Sequence, residues 1–261
     1  MTDALAGEMS SNSMQMREWR TVDKAAWPAG PWHDEPDKRQ WRDPETGFPC
    51  MVVRSSSGNL CGYVGVPLDH PLYGCYYGAP TSKLTEAWEK RKERPLGNQS
   101  EGPISILLAA LADKNGEPPS PSAVFEVHGG LTYSDRCPPL TRETWETWRE
   151  AMFKRRDEAE KYPQGDAARA LREWATALES YDAWVEQGQA VFLCSVPDPG
   201  EEDDDSWWFG FDCGHSGDFQ PGYAVRLPEG FGDYRVYREL PYVEAEVASL
   251  ARQLAEVSGA G

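Results

Sequence analysis

Three of the four histidines in the chain come shortly after segments with the composition of β-strands. His70 follows GYVGV, His128 follows AVFEV and His215 follows WWFGFDC. Strand ends hold side chains rigidly while the adjoining loops reach a ligand, so they are common positions for binding and catalytic groups. Imidazole changes its protonation near neutral pH and is a frequent metal ligand. These three loops are therefore where we expect chemistry.

One hypothesis is a divalent metal centre, such as a zinc site, built from these loops. Its ligands would be His128 and His215 with Asp212 or Asp218, and His70 would be a further ligand or an acid/base group. A catalytic zinc site needs three protein ligands and one open position, where bound water becomes a nucleophile at neutral pH. The chain contains no HExxH motif, so this hypothesis requires the loops to converge in the folded protein.

A second hypothesis needs no metal. His128 and His215 would act as general acid and base on a phosphate or carbonyl group. The amides of Gly129 and Gly130 and the hydroxyl of Thr132 would then hold the developing oxyanion. Both hypotheses use the same two loops and differ in what supplies positive charge to the substrate.

A third hypothesis makes Cys213 a nucleophile activated by His215 or His128, because a cysteine beside an imidazole can ionise. The same cysteine, preceded by an aromatic strand, equally fits a small buried residue. A purely structural interpretation also stays open for the two histidines. It is preferred for His70, which Pro71 follows, and for His33 in the segment PWHD.

Asp212 has a predictable orientation because side chains alternate along a strand. It shares a face with Trp208 and Gly210, opposite Phe209 and Phe211. A carboxylate beside a tryptophan is costly to bury unpaired, so Asp212 is expected to have a partner or a functional role.

The surrounding pattern predicts one α+β domain over residues 17–261, with a central mixed β-sheet, after a disordered tail at 1–16. Prolines and four tryptophans indicate an ordered strap at 17–49, with an exposed aromatic surface as the alternative. Apolar spacings of three and four residues predict an inserted helical hairpin at 141–187 and a C-terminal helix packed on the sheet. Further strands are predicted within 50–66, at AVFEV and at SWWFGFDC, and a short helix at TEAWEKRKER.

Composition excludes several partners. The chain has 43 acidic and 26 basic residues in 261, a net charge of −17 that repels nucleic acid. No apolar run approaches the roughly 18 residues that span a bilayer, so no membrane partner is expected. The six cysteines form no CxxC pair and no export signal is recognised, which predicts a cytoplasmic protein with reduced thiols.

Three sequence blocks carry a resemblance. VHGGLTYS at 127–134, WWFGFDCGHSGD at 207–218 and YVEAEVASLARQLA at 242–255 resemble blocks in uncharacterised proteins encoded by bacteriophages and bacterial genomes. The resemblance covers the chain from about residue 50 to its end. It implies a phage or prophage setting, hence the host cytoplasm, and it implies no activity.

The leading functional expectation is a hydrolase or transferase of a small anionic substrate, with metal assistance. An acidic protein can bind an anion only if positive charge is concentrated at the site. The competing expectation is a non-enzymatic acidic phage accessory protein that binds a host protein through its acidic surface and exposed tryptophans.

Overall fold

A computed structural model describes residues 16–20, 22–55, 57–93, 116, 118–136, 205–224 and 234–258. The predicted helical hairpin at 141–187 and nearly all of the predicted tail at 1–16 lie outside these residues. Within them the protein is an α+β domain, as predicted. Its strands are β1 (Arg17–Trp19), β2 (Lys38–Arg42), β3 (Pro49–Arg54), β4 (Leu60–Val66), β5 (Tyr133–Arg136) and β6 (Trp207–Asp212), and its helices are α1 (Thr85–Lys92), α2 (Pro121–Val124), α3 (Pro221–Ala224) and α4 (Leu240–Ser258).

The six strands form one sheet in the order β1-β2-β3-β4-β6-β5. All five pairings between these strands are antiparallel. The mixed sheet expected from the sequence is therefore not what these strands form, and the parallel pairing found in the described residues is an isolated bridge between Asp218 and Val236. For β2, β3 and β4 the physical reason is that short connections join them, and short connections produce antiparallel neighbours.

The N-terminal strap is part of the sheet. Residues 17–19 and 38–42 are its outermost strands on one side, whereas the sequence indicated a segment that only wraps the domain. Between them Trp32 is buried, stacked on Phe219 with ring centroids 5.4 Å apart. Trp32 also meets the edge of Tyr237 at 5.1 Å. The strap therefore packs against Phe219 and Tyr237, which directly follow the two residues of the isolated bridge, Asp218 and Val236.

Helix α4 covers one face of the sheet and contacts β3 and β4. Its predicted apolar stripe is buried in the main hydrophobic core together with Phe209 and Phe211 of β6, as the helical periodicity requires. The stripe consists of Val243, Val247, Leu250, Leu254 and Val257. Trp208 belongs to a second cluster with Met51 and Tyr63, so the alternation predicted along β6 is confirmed. No helix in the described ranges is long and apolar enough to cross a membrane.

The predicted strand AVFEV is not a strand. Pro121 begins the short helix α2, the backbone is extended at Phe125, and residues 125–127 have no strand partner. Instead of hydrogen bonds to a neighbouring strand, this segment makes backbone hydrogen bonds to a side chain of α4. Gln253 Oε1 accepts the Glu126 N–H at 2.8 Å, and Gln253 Nε2 donates to the Glu126 carbonyl at 2.9 Å. The β-type composition reflects burial against α4, which periodicity alone cannot distinguish from a strand.

Candidate functional site

The antiparallel pairing of β5 with β6 brings two glycine-bearing loops together. Tyr133, the first residue of β5, pairs with Gly210 near the end of β6. The segment that precedes β5 and the segment that follows β6 therefore lie at the same end of the sheet. His128 belongs to the first segment and His215 to the second. Contrary to the sequence expectation, His128 approaches the site because it precedes a strand, not because it follows one.

The two histidines meet at Asp218. His128 Nε2 donates to Asp218 Oδ2 at 2.8 Å, and His215 Nδ1 lies 3.6 Å from the same oxygen. The imidazole centroids are 5.5 Å apart. One nitrogen of each imidazole and one oxygen of Asp218 all lie within 4.8 Å of one another. We call this group, His128, His215 and Asp218, the His/Asp cluster.

Helix α4 holds His128 in place. His128 Nδ1 lies 3.0 Å from the Tyr242 hydroxyl, and the His128 backbone N–H donates to Glu246 Oε2 at 2.8 Å. Tyr242 and Glu246 are four residues apart and share one face of the helix. With both ring nitrogens and the backbone amide engaged, the orientation of His128 is determined by its neighbours.

A tight turn shapes the surface on which His215 lies. Gly130 N donates to Val127 O at 2.9 Å, which makes His128 and Gly129 the central residues of a β-turn. Gly129 has φ +70°, as position i+2 of a type II turn demands. A Cβ at residue 129 would lie 1.9 Å from His215 Cε1. The turn thus requires glycine for its backbone and for the imidazole that packs on it. Since Gly130 already donates its N–H within the turn, its amide is engaged in holding the loop.

Asp218 is the electrostatic centre of the site. Burial would raise the pKa of its carboxyl group, but hydrogen bonds from His128 and the proximity of His215 and Arg238 outweigh burial and lower that pKa well below its usual value. The Asp218 carboxylate raises the pKa of His215, against the opposing effect of burial. The pKa of Glu246 is raised, chiefly by burial.

His215 has an unsatisfied ring nitrogen. Its Nδ1 atom is buried without a hydrogen-bond partner, because 3.6 Å from Asp218 Oδ2 is beyond hydrogen-bond length. The rest of the His215 side chain reaches the surface, with 36% of it exposed, whereas the Asp218 side chain is 2% exposed. A buried donor or acceptor without a hydrogen-bond partner is costly, so Nδ1 is the atom of the cluster whose surroundings require an explanation.

Asp212 and Thr132 form a separate pair. Thr132 Oγ1 donates to Asp212 Oδ2 at 3.1 Å, and the Gly214 N–H donates to Asp212 Oδ1 at 2.9 Å. The partner expected for Asp212 is thus present. Its position in β6 directs it to the Trp208 face, away from α4, and the His/Asp cluster does not include it. Of the two aspartates left open by the sequence, Asp218 is the one that meets the histidines.

The other two histidines lie apart from the cluster. His70 follows β4, whose end lies beside the start of β6 and therefore at the opposite end of the sheet. Its Nδ1 accepts the Leu72 N–H at 3.0 Å and its Nε2 donates to Leu254 O at 3.1 Å, so both nitrogens serve packing. Burial lowers the pKa of His70. The exposed His33 lies 3.0 Å from Pro28 O in the strap.

Cys213 is inaccessible as a nucleophile. It is 1% exposed within the main core, and burial raises the pKa of its thiol far above the usual value. A reactive cysteine needs the opposite, a lowered pKa and access to solvent.

Three residues of the site were not singled out from the sequence. Arg238 Nε donates to Asp218 Oδ1 at 3.0 Å, and its guanidinium carbon lies 5.1 Å from the Tyr242 ring centroid. Tyr242 and Glu246 support His128 as described. The sequence signal for Tyr242 and Glu246 was their spacing of four residues beside the apolar stripe of α4. That spacing places them on one face of the helix but does not indicate which residues contact that face. Arg238 is brought to Asp218 by the bridge between Asp218 and Val236.

Gly129→Ala is expected to disturb the site more than an equivalent change elsewhere. We expect the alanine to lower the free energy of unfolding by about 3 kcal/mol, because it adds left-handed strain and displaces the His215 ring. Gly74→Ala is the matched control, since Gly74 has φ +75° and no atom lies within 4 Å of the position that an added methyl group would take. That control should cost about 1 kcal/mol. Equal losses in urea denaturation would show that His215 does not pack as described.

Comparisons of the chain with protein families, with curated proteins and with solved structures gave no match. The class of protein defined here is thus an α+β domain with a buried histidine and aspartate cluster at one end of an antiparallel sheet.

Proposed function

We propose that the His/Asp cluster binds a divalent metal ion such as zinc, and that the protein is a metal-assisted hydrolase or transferase of a small anionic substrate. The observation that carries the proposal is the unsatisfied Nδ1 of His215, buried beside Asp218 Oδ2 and near the ring of His128. Two imidazoles and a carboxylate are a donor set that zinc accepts in catalytic sites.

The distances support one shared ion. Ligand atoms on a tetrahedral zinc are about 3.3 Å apart, given bond lengths near 2.0 Å. The separations from Asp218 Oδ2 are 2.8 Å to His128 Nε2 and 3.6 Å to His215 Nδ1, which bracket that value. All three ligand atoms lie within 4.8 Å of one another, so the two imidazoles would have to approach each other by movements on the order of 1 Å to share one ion.

The protein's own residues would prepare the ligands. With an ion at His128 Nε2, the ring proton would lie on Nδ1 and be donated in a hydrogen bond to the Tyr242 hydroxyl, whereas without an ion Nε2 donates to Asp218. Arg238 would hold Asp218 Oδ1, and Oδ2, which without an ion accepts from His128 Nε2 and from the His215 backbone N–H, would face the ion. A bound zinc lowers the pKa of its water to about 7 and supplies a nucleophile. The partly exposed side of the site, at His215, is where a substrate would enter.

Metal binding can be tested with the four histidines of the chain as an internal set. The parent is expected to bind one zinc per chain in calorimetry after treatment with chelator. His215→Gln and His128→Gln should weaken binding at least about 100-fold, because each removes a ligand. His33→Gln and His70→Gln, which change histidines outside the cluster, should bind zinc as the parent does.

Cobalt substitution separates this site from cysteine sites. Cobalt bound by imidazole and carboxylate lacks the sulfur-to-metal charge-transfer band that a thiolate ligand produces. Absence of stoichiometric binding in the parent, or unchanged binding in both cluster variants, would contradict the metal proposal. Chelation should also abolish hydrolysis of a chromogenic phosphate ester, and zinc should restore it in the parent but not in His215→Gln.

A metal-free function is the second candidate, because His215 is half-exposed and its pKa is raised. It would act as a general acid with Asp218 as the group that holds it protonated. Hydrolysis that survives chelation but is lost in His215→Gln would support this alternative.

The non-enzymatic alternative, a phage accessory protein that binds a host protein, gains no support from the tryptophans that the structure describes. Each of the seven tryptophans in the described ranges is buried or half-buried. The acidic surface remains its basis. A cytoplasmic setting for either function is supported by the unpaired state of the four described cysteines, Cys50, Cys61, Cys75 and Cys213.

A further inference from the structure

Arg238 has a free edge next to the His/Asp cluster. Its Nε atom donates to Asp218 Oδ1, while Nη1 and Nη2 have no hydrogen-bond partner among the described residues. The side chain is 29% exposed, so this edge is open to solvent. A guanidinium presents its donors in a planar fork that suits oxyanions.

Two contacts hold the guanidinium in position before any ligand arrives. Asp218 anchors Nε from one side, and the Tyr242 ring lies under the guanidinium carbon at 5.1 Å. The same Asp218 carboxylate that faces the two imidazoles through Oδ2 holds Arg238 through Oδ1. The fork therefore lies one carboxylate group away from the proposed metal position.

Local charge determines when an anion can bind. Asp218, Asp212 and Glu246 are the carboxylates that act on this site, and Arg238 is the guanidinium among them. Counting the carboxylates and the guanidinium alone, three negative charges against one positive leave −2, which a divalent ion brings to zero. The protein without metal should therefore repel an anion, whereas the metal-bound protein should accept one at the Arg238 edge.

We propose that Arg238 and the metal position together form a subsite for a phosphoryl group, with the Arg238 fork binding two of its oxygens. This inference rests on the proposed metal site, since the second contact is to the ion. A tetrahedral phosphoryl group directs oxygens toward both the fork and the ion and carries up to two negative charges. A planar carboxylate offers two oxygens in one plane and a single charge, which suits the two positions less well.

The test uses a matched pair of probes on the full chain, phenylphosphonate and benzoate, with one equivalent of zinc. Phenylphosphonate resists hydrolysis and presents the tetrahedral oxyanion, whereas benzoate presents the planar one. Calorimetry is expected to show phenylphosphonate binding to the zinc-loaded parent at least about tenfold more tightly than benzoate, and no binding without zinc. Equal affinity for the two probes, or binding that does not depend on zinc, would overturn the inference.

Variants assign the binding to Arg238. Arg238→Met should still bind zinc, and its affinity for phenylphosphonate should fall at least about tenfold through loss of charge-assisted hydrogen bonds. Arg238→Lys should be intermediate, because it keeps the charge without the fork. Arg252→Met is the control, since Arg252 is a half-exposed arginine on α4 whose contact with Glu45 is 3.6 Å.

The outcomes separate the two proposals. No zinc binding by the parent would contradict the proposed function. Zinc binding without phenylphosphonate binding, or equal phenylphosphonate affinity in Arg238→Met and Arg252→Met, would overturn the phosphoryl subsite and leave the metal site standing.

Discussion

Asp218→Asn is expected to lower the free energy of unfolding of the metal-free protein by about 3 kcal/mol. The change keeps the shape of the side chain but removes its charge and replaces one acceptor oxygen with an NH2 donor, so the donors that face that oxygen lose their acceptor. The donors around the carboxylate are His128 Nε2 at 2.8 Å, the His215 backbone N–H at 3.0 Å and Arg238 Nε at 3.0 Å. The loss lies at the lower end for a buried ion pair because the partly exposed Arg238 can regain water.

Asp212→Asn is the matched control for this prediction. Asp212 lies six residues earlier, accepts hydrogen bonds from the neutral donors Thr132 Oγ1 and Gly214 N, and is less buried than Asp218. Its replacement should cost about 1 kcal/mol and leave zinc binding unchanged. Urea denaturation in the presence of chelator measures both losses. If the two variants are equally destabilised, Asp218 is not the electrostatic centre of the site.

Arg54→Met is expected to destabilise the protein by about 3 to 5 kcal/mol. The Arg54 side chain is fully buried and donates to Asp37 Oδ1 at 2.9 Å and to Glu35 Oε2 at 2.9 Å. It also donates to the Gly58 carbonyl at 2.9 Å and to the Tyr237 hydroxyl at 2.7 Å. Methionine fills similar volume but leaves two carboxylates and a carbonyl group without this donor.

The loss of Arg54 should also loosen the His/Asp cluster, because its partner Tyr237 immediately precedes Arg238 in the chain. Arg54→Lys should recover part of the stability, since lysine keeps the charge but cannot bond to all of these acceptors. Arg252→Met, which removes an exposed arginine, should change the free energy of unfolding by less than about 0.5 kcal/mol. Thermal and urea denaturation of the three variants measure this. A loss below about 1 kcal/mol for Arg54→Met would contradict the description of Arg54 as a buried junction.

Local sequence patterns were enough to predict those strands and helices whose own residues have a clear periodicity or clear end signals. The hairpin of β3 and β4, strand β6 with its alternating faces, and helices α1 and α4 all follow from periodicity, turn residues and stops. AVFEV was wrong as a strand, because the same apolar composition suits any buried extended segment. The strap was expected to wrap the domain, but its ends are strands whose pairing is set by distant residues.

The candidate site was accessible from the sequence only in part. Its loops were recognised from histidines flanked by glycine, and the resemblance to phage and bacterial proteins pointed to the same blocks and stays a prediction. The choice between Asp212 and Asp218 required the fold. The pleat of β6 directs Asp212 to the face opposite α4, whereas the turn after β6 returns Asp218 toward His128.

The sequence by itself determined an acidic α+β domain, the faces of β6 and α4, and two histidine loops rich in glycine. Tertiary structure alone decided that these loops meet, because an antiparallel pairing between β5 and β6, distant in the chain, brings the start of one strand beside the end of the other. It also decided that Arg238, Tyr242 and Glu246 surround them. Contacts between residues far apart in sequence depend on the packing of whole elements, which local composition does not specify.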